Sequence, residues 1–157
     1  MSIMELAQKN VVTVSKDATV QEAAEVMRKY HVGDVFVVEK NIFSEIGIPI
    51  GVLTDRDIVL EVVSQNLKVN EVLVGDIMTY NLVTIHPSNS IREAISKMHF
   101  HGISRIPIVD GKNNLLGVLT KSDIAMWLAE DLKGITSLPS RLKRKEIKYR
   151  PAISEMN

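Results

Sequence analysis

The sequence predicts a mixed α/β (α+β) fold in which two β-α-β-β-α repeats pack sheet to sheet about a pseudo-twofold axis. Three observations predict it. Residues 10–39 lie over residues 81–110 at an offset of 71 with seven identities, among them Thr13/Thr84, Glu22/Glu93, Ala23/Ala94 and Met27/Met98. GVLTDRDI at 51–58 lies over GVLTKSDI at 117–124 with six identities in eight, now at an offset of 66. Within each copy the apolar period switches between strand and helix in the same order. Self-similarity at a fixed spacing marks a duplicated structural unit. The shortened offset places a longer connection, residues 40–50, in the first copy than residues 111–116 provide in the second.

Taken in order, each copy opens with a short strand, residues 11–14 and 82–85. A helix follows over 20–30 and 91–101, where Val20, Ala23, Ala24, Met27 and Ile91, Ala94, Ile95, Met98 recur near the 3.6-residue period. Thr19-x-x-Glu22 and Ser90-x-x-Glu93 are capping boxes that fix the first turn of each helix. Two strands rich in branched side chains come next, 35–38 with 50–53 and 106–109 with 115–119. The copies close with a second helix, 55–64 and 121–133. In the 40–50 connection, Ile42, Phe43, Ile46 and Ile48 extend the flanking strands as a hairpin, packed locally or presented as a lip to a partner. The divisions are therefore repeat 1 over 3–66, a linker over 67–80, repeat 2 over 76–132 with the end of the linker included, and a basic tail over 133–157.

One such unit is too small to cover both faces of its sheet, whereas two share a core. Val35-Phe36-Val37-Val38 is apolar without alternation, as expected of a strand covered on both faces. The helices after GVLT are apolar on more than one side (Ile58, Val59, Leu60, Val62, Val63; Ile124, Met126, Trp127, Leu128). Such excess implies a second partner, either a second copy of the chain or a deeper core of its own.

Composition excludes several function classes. Apolar residues make up 45% and charged residues 24% of the chain, an ordinary globular balance. Without cysteine there is no disulfide framework, thiolate zinc site or cysteine nucleophile. His99 and His101 stand two apart on a helix and diverge, so no metal site is expected. No G-x-S-x-G, P-loop or H-E-x-x-H occurs, and Asp55 and Asp57 diverge on a helix start, so an enzyme is not expected. No apolar run reaches the roughly 18 residues of a membrane span, and no leader pattern opens the chain; the expectation is a cytoplasmic protein. The 19 basic and 19 acidic side chains cancel, but unevenly. Residues 133–150 carry seven basic side chains against Glu146 alone, while residues 1–132 carry 12 basic and 17 acidic, a net of −5. The tail either docks on the acidic body, stays solvated, or meets a protein or nucleic acid.

The tandem β-α-β-β-α units, the G-V-L-T-x-x-D-I endings and the G-I-S-R-I-P-I-V-D strand resemble the cystathionine β-synthase (CBS) domain pair, or Bateman module, over residues 3 to about 130. That resemblance implies a regulatory module, with no cofactor required, that binds adenosine-containing ligands (AMP, ADP, ATP or S-adenosylmethionine) in clefts between the repeats. It also implies a homodimer with four CBS units in a disc, signalling by conformational change to a protein partner the sequence does not name.

By the same resemblance, one cleft takes Thr120, Ser122 and Asp123 with Ser104 and Arg105, plus Thr13, Ala18, Val32 and Gly33 across the axis. The second takes Thr54, Arg56 and Asp57 with Thr84, Asn89, Ile103 and Ser104. A carboxylate in a first helical turn suits ribose hydroxyls, and the free N–H groups of that turn suit a phosphate. Thr-x-x-Asp is equally a variant of the capping box. Arg105 either points at phosphates, which its fork of donors matches, or pairs with an acid such as Asp34. Asp34 occupies the position in copy one that Arg105 occupies in copy two, and an acid there opposes phosphate with only Arg56 to compensate. The Asp123 cleft is thus expected to be the better nucleotide site, and the Asp57 cleft either to prefer a ligand with less negative charge or to stay empty. Two alternatives stay open: an adaptor that acts on nucleic acid or protein through the tail, and a structural dimerisation module without ligand.

Overall fold

The computed structural model describes residues 2–42 and 44–136, in two compact units divided between Lys121 and Ser122. In the first unit, the first repeat contains β1 (Thr13–Ser15), α2 (Val20–Tyr30), β2 (Asp34–Asn41) and β3 (Ser44–Thr54), preceded by a single helical turn, α1 (Ile3–Leu6). It continues into α3 (Asp55–Ile58) and a π-helical turn over Val59–Val63. The second repeat mirrors this with α4 (Val74–Ile77), α5 (Ile91–His101), β4 (Arg105–Val109) and β5 (Leu115–Thr120). The second unit holds nearly all of α6 (Lys121–Thr136), with Ile124 buried and Met126, Leu128, Leu132 and Ile135 exposed.

The helices at 20–30 and 91–101 start where their caps require. Thr19 and Ser90 accept from the amides of Glu22 and Glu93, and those carboxylates accept in return from the cap amides at 2.7 and 2.6 Å. At the other end, α5 stops at Gly102 with φ +64°, whereas α2 stops at His31, which takes the left-handed conformation at φ 54°. The first two N–H groups of α2, beside its N-cap, are satisfied by the linker: Val20 and Gln21 donate to the carbonyls of Val72 and Val69.

β1 pairs in parallel with β2, and β2 antiparallel with β3, giving one three-stranded sheet. β4 pairs antiparallel with β5, and β3 and β5 pack against one another. The strand expected at 82–85 is reduced to one parallel bridge, Ile85 to Ile108. Its cause is Pro107. In the first repeat the Phe36 amide donates to the Val12 carbonyl, but Pro107, at the matching position, has no N–H to give. The expected 55–64 helix is also altered: α-geometry ends at Ile58, and Ser64 N–H reaches back five residues to the Val59 carbonyl. This turn buries Val62 while Val59, Leu60 and Val63 stay exposed.

The core forms around Val14, Ala23, Met27, Val35, Val37, Leu53, Val74 and Met78, all buried. Burying a Val or Leu side chain contributes about 1.5–3 kcal/mol each, and β4 buries four consecutive residues, Ile106 to Val109, without alternation. The chain is also intertwined. Gln8, ahead of β1 in the first repeat, bridges Val118 in β5 through two 2.9 Å hydrogen bonds. Thr79, just after α4 in the second repeat, bridges Val52 in β3 at 2.9 and 3.1 Å. The 40–50 connection is the expected hairpin, with Asn41 opposite Ser44; Phe43 lies outside the described residues, as does the tail from 137 onward.

Candidate functional site

The two strands that open each repeat's hairpin begin at equivalent positions with opposite charges. Asp34 starts β2 and Arg105 starts β4. In each hairpin the partner is the threonine of GVLT: Asp34 faces Thr54 and Arg105 faces Thr120. The residue just before is pinned in the same way twice. Asp55 N–H donates to the Gly33 carbonyl, and Lys121 N–H donates to the Ser104 carbonyl, each at 2.9 Å. The Asp55 carboxylate lies against Gly33, 3.2 Å from where a β-carbon would stand.

These ends face one another. Arg105 Nη1 lies 2.6 Å from Asp34 Oδ1, an ion pair between the repeats with side chains 38% and 23% exposed. Oδ1 itself is buried and accepts no directed hydrogen bond, so the contact is ionic rather than a well-aimed N–H···O bond. Burial raises the Asp34 carboxyl above its ordinary range, opposed by the guanidinium and reinforced by nearby Asp55. Of the two readings the sequence offers for Arg105, the structure forms the pair with Asp34.

Asp34 and Arg105 line a cavity of about 370 Å³ together with Thr54, Tyr80, Ile103 and Ser104, at the lower end of the size range of small-molecule sites. Its wall is drawn from both repeats: the ends of β2 and β3, the 79–83 segment and the turn from His101 into β4. Arg105, assigned from the sequence to the cleft of Thr120, thus lines the cavity of Thr54. Asp57 closes the Thr54 capping box: its Oδ2 accepts from the Thr54 amide at 2.9 Å, and its own amide donates to Thr54 Oγ1 at 3.1 Å. Both readings of Thr-x-x-Asp are compatible with this, because a capping carboxylate keeps a second oxygen.

The remaining candidates are distributed elsewhere. Arg56 sits in the exposed first turn of α3, its amide held by Asp55. Asn89 accepts from His86 N–H and donates to Glu93, which commits its amide to a local turn. The Thr84 carbonyl accepts from Lys97 Nζ. Ala18 and Val32 pack on the first repeat's core, and the Ala18 carbonyl accepts from Val74 N–H. Thr13 lines a separate open cleft with Lys9, Lys29 and Tyr30. Thr120 is buried at the end of β5, and Ser122 and Asp123 stand in the first turn of α6, in the second unit. Sequence reasoning missed Tyr80 and the 79–83 wall, whose only signal is its place between linker and repeat. Among the described residues no three His, Cys, Asp or Glu side chains converge as a metal site, and no helix is long and apolar enough to cross a membrane.

Comparison with known proteins gives the same architecture. A family model described as the CBS domain matches residues 3–64 and 74–130. An uncharacterized protein of Methanopyrus kandleri is 38% identical over 124 residues, 79% of this chain, which spans 61% of that protein's length. The CBS domain-containing protein YhcV of Bacillus subtilis is 37% identical over 80% of this chain and 84% of its own. Among solved structures, the CBS domain pair of protein MJ0100, in complex with 5′-methylthioadenosine and S-adenosyl-L-methionine, aligns with a TM-score of 0.67 and 25% identity, over 82% of this chain and 99% of that one.

Proposed function

The chain belongs to the CBS domain family as a tandem pair, and from that premise we propose that it is a non-catalytic regulatory module whose ligand is an adenosine-containing molecule. The observation that carries the reading is the cavity of about 370 Å³ between the repeats, with Thr54, Ile103 and Ser104 in its wall. Polar hydroxyls beside a branched apolar side chain suit a ribose and an adenine face. The MJ0100 pair, solved with two adenosine ligands, supports the same choice.

Signalling follows from where the cavity sits. Asp34 and Arg105 come from different repeats, so a ligand between them favours the arrangement of repeats it binds best, by its differential affinity for that arrangement. The exposed Val59, Leu60 and Val63 on the π-helical turn supply an apolar face for a second copy of the chain. The readout then passes from ligand, through the paired strand ends, to a dimer and its partner protein.

A thermal-shift screen of AMP, ADP, ATP, S-adenosylmethionine and methylthioadenosine tests the reading. A ligand that binds only the folded state adds about 2.7 kcal/mol at a hundredfold excess over its dissociation constant. The expected result is a rise in melting temperature with at least one ligand, lost in Thr54→Ala combined with Asp57→Ala or in Asp123→Ala. No shift with any ligand would overturn it.

A further inference from the structure

We infer that the cavity between Asp34 and Arg105 selects an adenosine ligand bearing a zwitterionic α-amino-acid group over a phosphorylated one. The inference rests on the adenosine reading above and assigns its ligand class. The charge inventory carries it. Of the described residues lining the cavity, Arg105 is the one lysine or arginine, and it already lies 2.6 Å from Asp34. Beside the imidazole of His101, the charged side chains of the lining are therefore one anion and one cation, side by side. A di- or triphosphate brings several negative charges to a wall whose single strong cation is already paired. It must either tolerate the Asp34 carboxylate or pull Arg105 away from it.

An ammonium and a carboxylate held on one carbon meet the opposite demand. Asp34 Oδ1 is sealed against Arg105, so the side chain, still 23% exposed, offers the cavity its other oxygen, Oδ2, and burial raises the carboxyl against the pull of that single cation. An added ammonium supplies both charge and donors. Arg105 contributes Nη1 to Asp34 and retains further N–H donors of its planar fork, which match a carboxylate in bidentate fashion. The ligand's two charges would thus close a four-member ring of alternating sign with the protein's two. The pseudo-twofold gives the pair its geometry, because the same strand-opening position carries an acid in one repeat and a base in the other.

Isothermal titration of the full chain in an Asp123→Ala background tests this with three probes: S-adenosylhomocysteine (zwitterionic thioether), methylthioadenosine (the same thioether without the amino acid) and AMP. The expected result is that S-adenosylhomocysteine binds at least tenfold tighter than either of the others. Asp34→Asn, which keeps the side chain's shape, should shrink its advantage over AMP tenfold or more. Arg105→Gln should shrink its advantage over methylthioadenosine. If AMP binds as tightly as S-adenosylhomocysteine, or if neither substitution moves the ratios, the inference fails while the adenosine reading stands. If none of the three binds, the inference fails; if the wild-type chain binds none of them either, the adenosine reading falls with it.

Discussion

Gly51 lies against the backbone of Thr79 so closely that a β-carbon on it would stand 2.6 Å from the Thr79 carbonyl oxygen. Gly117 repeats the relationship with Gln8, at 2.9 Å. The glycine of each GVLT therefore exists to admit a crossing strand end, a role a glycine inside a strand often signals. Gly51→Ala should destabilise the protein by about 2–3 kcal/mol and Gly117→Ala by about 1–2 kcal/mol. Urea unfolding measures both, and the order would reverse if the closer contact did not set the cost.

The capping boxes give a pH dependence with a defined sign. Hydrogen bonds from Thr19 and Ser90 hold the carboxyls of Glu22 and Glu93 below the usual glutamate range. A carboxyl depressed in the folded state contributes stability above its unfolded pKa and loses it as pH falls through the folded one. Melting temperature should therefore decline as pH drops below about 4.5, the ordinary glutamate value. Glu22→Gln with Glu93→Gln should flatten that decline, since Gln keeps the cap without titrating. Thr19→Ala should cost about 1 kcal/mol at neutral pH.

How much of this was legible in the sequence depended on which force set each feature. The helices at 20–30 and 91–101 and their caps were readable because local pattern and local hydrogen bonding agree there. The loss of the 82–85 strand was readable in principle, from the proline at 107, but only once the strand's partner was known. The single turns α1 and α4 are too short to show a period. Ser2-x-x-Glu5 is the one trace of the first, where the Glu5 carboxylate accepts from the Ser2 amide. For the candidate site, the residue types were legible and their grouping was not. Arg105 had two readings, and only the tertiary placement of Asp34 beside it decides between them.

The Asp34–Arg105 pair should respond asymmetrically to substitution. The Asp34 carboxyl is raised chiefly by burial, with Asp55 adding to it and Arg105 opposing. A carboxyl raised in the folded state subtracts stability as pH rises through its titration. Asp34→Asn should therefore leave the melting temperature at pH 7 unchanged or higher, and flatten any fall in stability just above pH 4. Arg105→Gln should lower it, because it strands a half-buried anion. Melting curves of the two variants and their double mutant decide this; equal losses would refute it.

The face formed by Val59, Leu60 and Val63 predicts an assembly. If the proposed dimer forms through this face, wild type should sediment as a dimer in analytical ultracentrifugation and Leu60→Glu with Val63→Glu as a monomer, with far-UV circular dichroism unchanged. A dimer that persists would move the interface elsewhere.

The reciprocal bridges, Gln8 to Val118 and Thr79 to Val52, carry a consequence for how such a chain arises and how it can be cut. Each repeat lends an arm to the other, and the exchange is symmetric, so two separate molecules of one repeat would satisfy it equally well. Joining the two repeats in one polypeptide holds both halves of that exchange at fixed proximity. A fragment ending near residue 70 would hold a docking strand for an arm it no longer has and an arm without a dock, and it should recover both by pairing with a second fragment of the same kind.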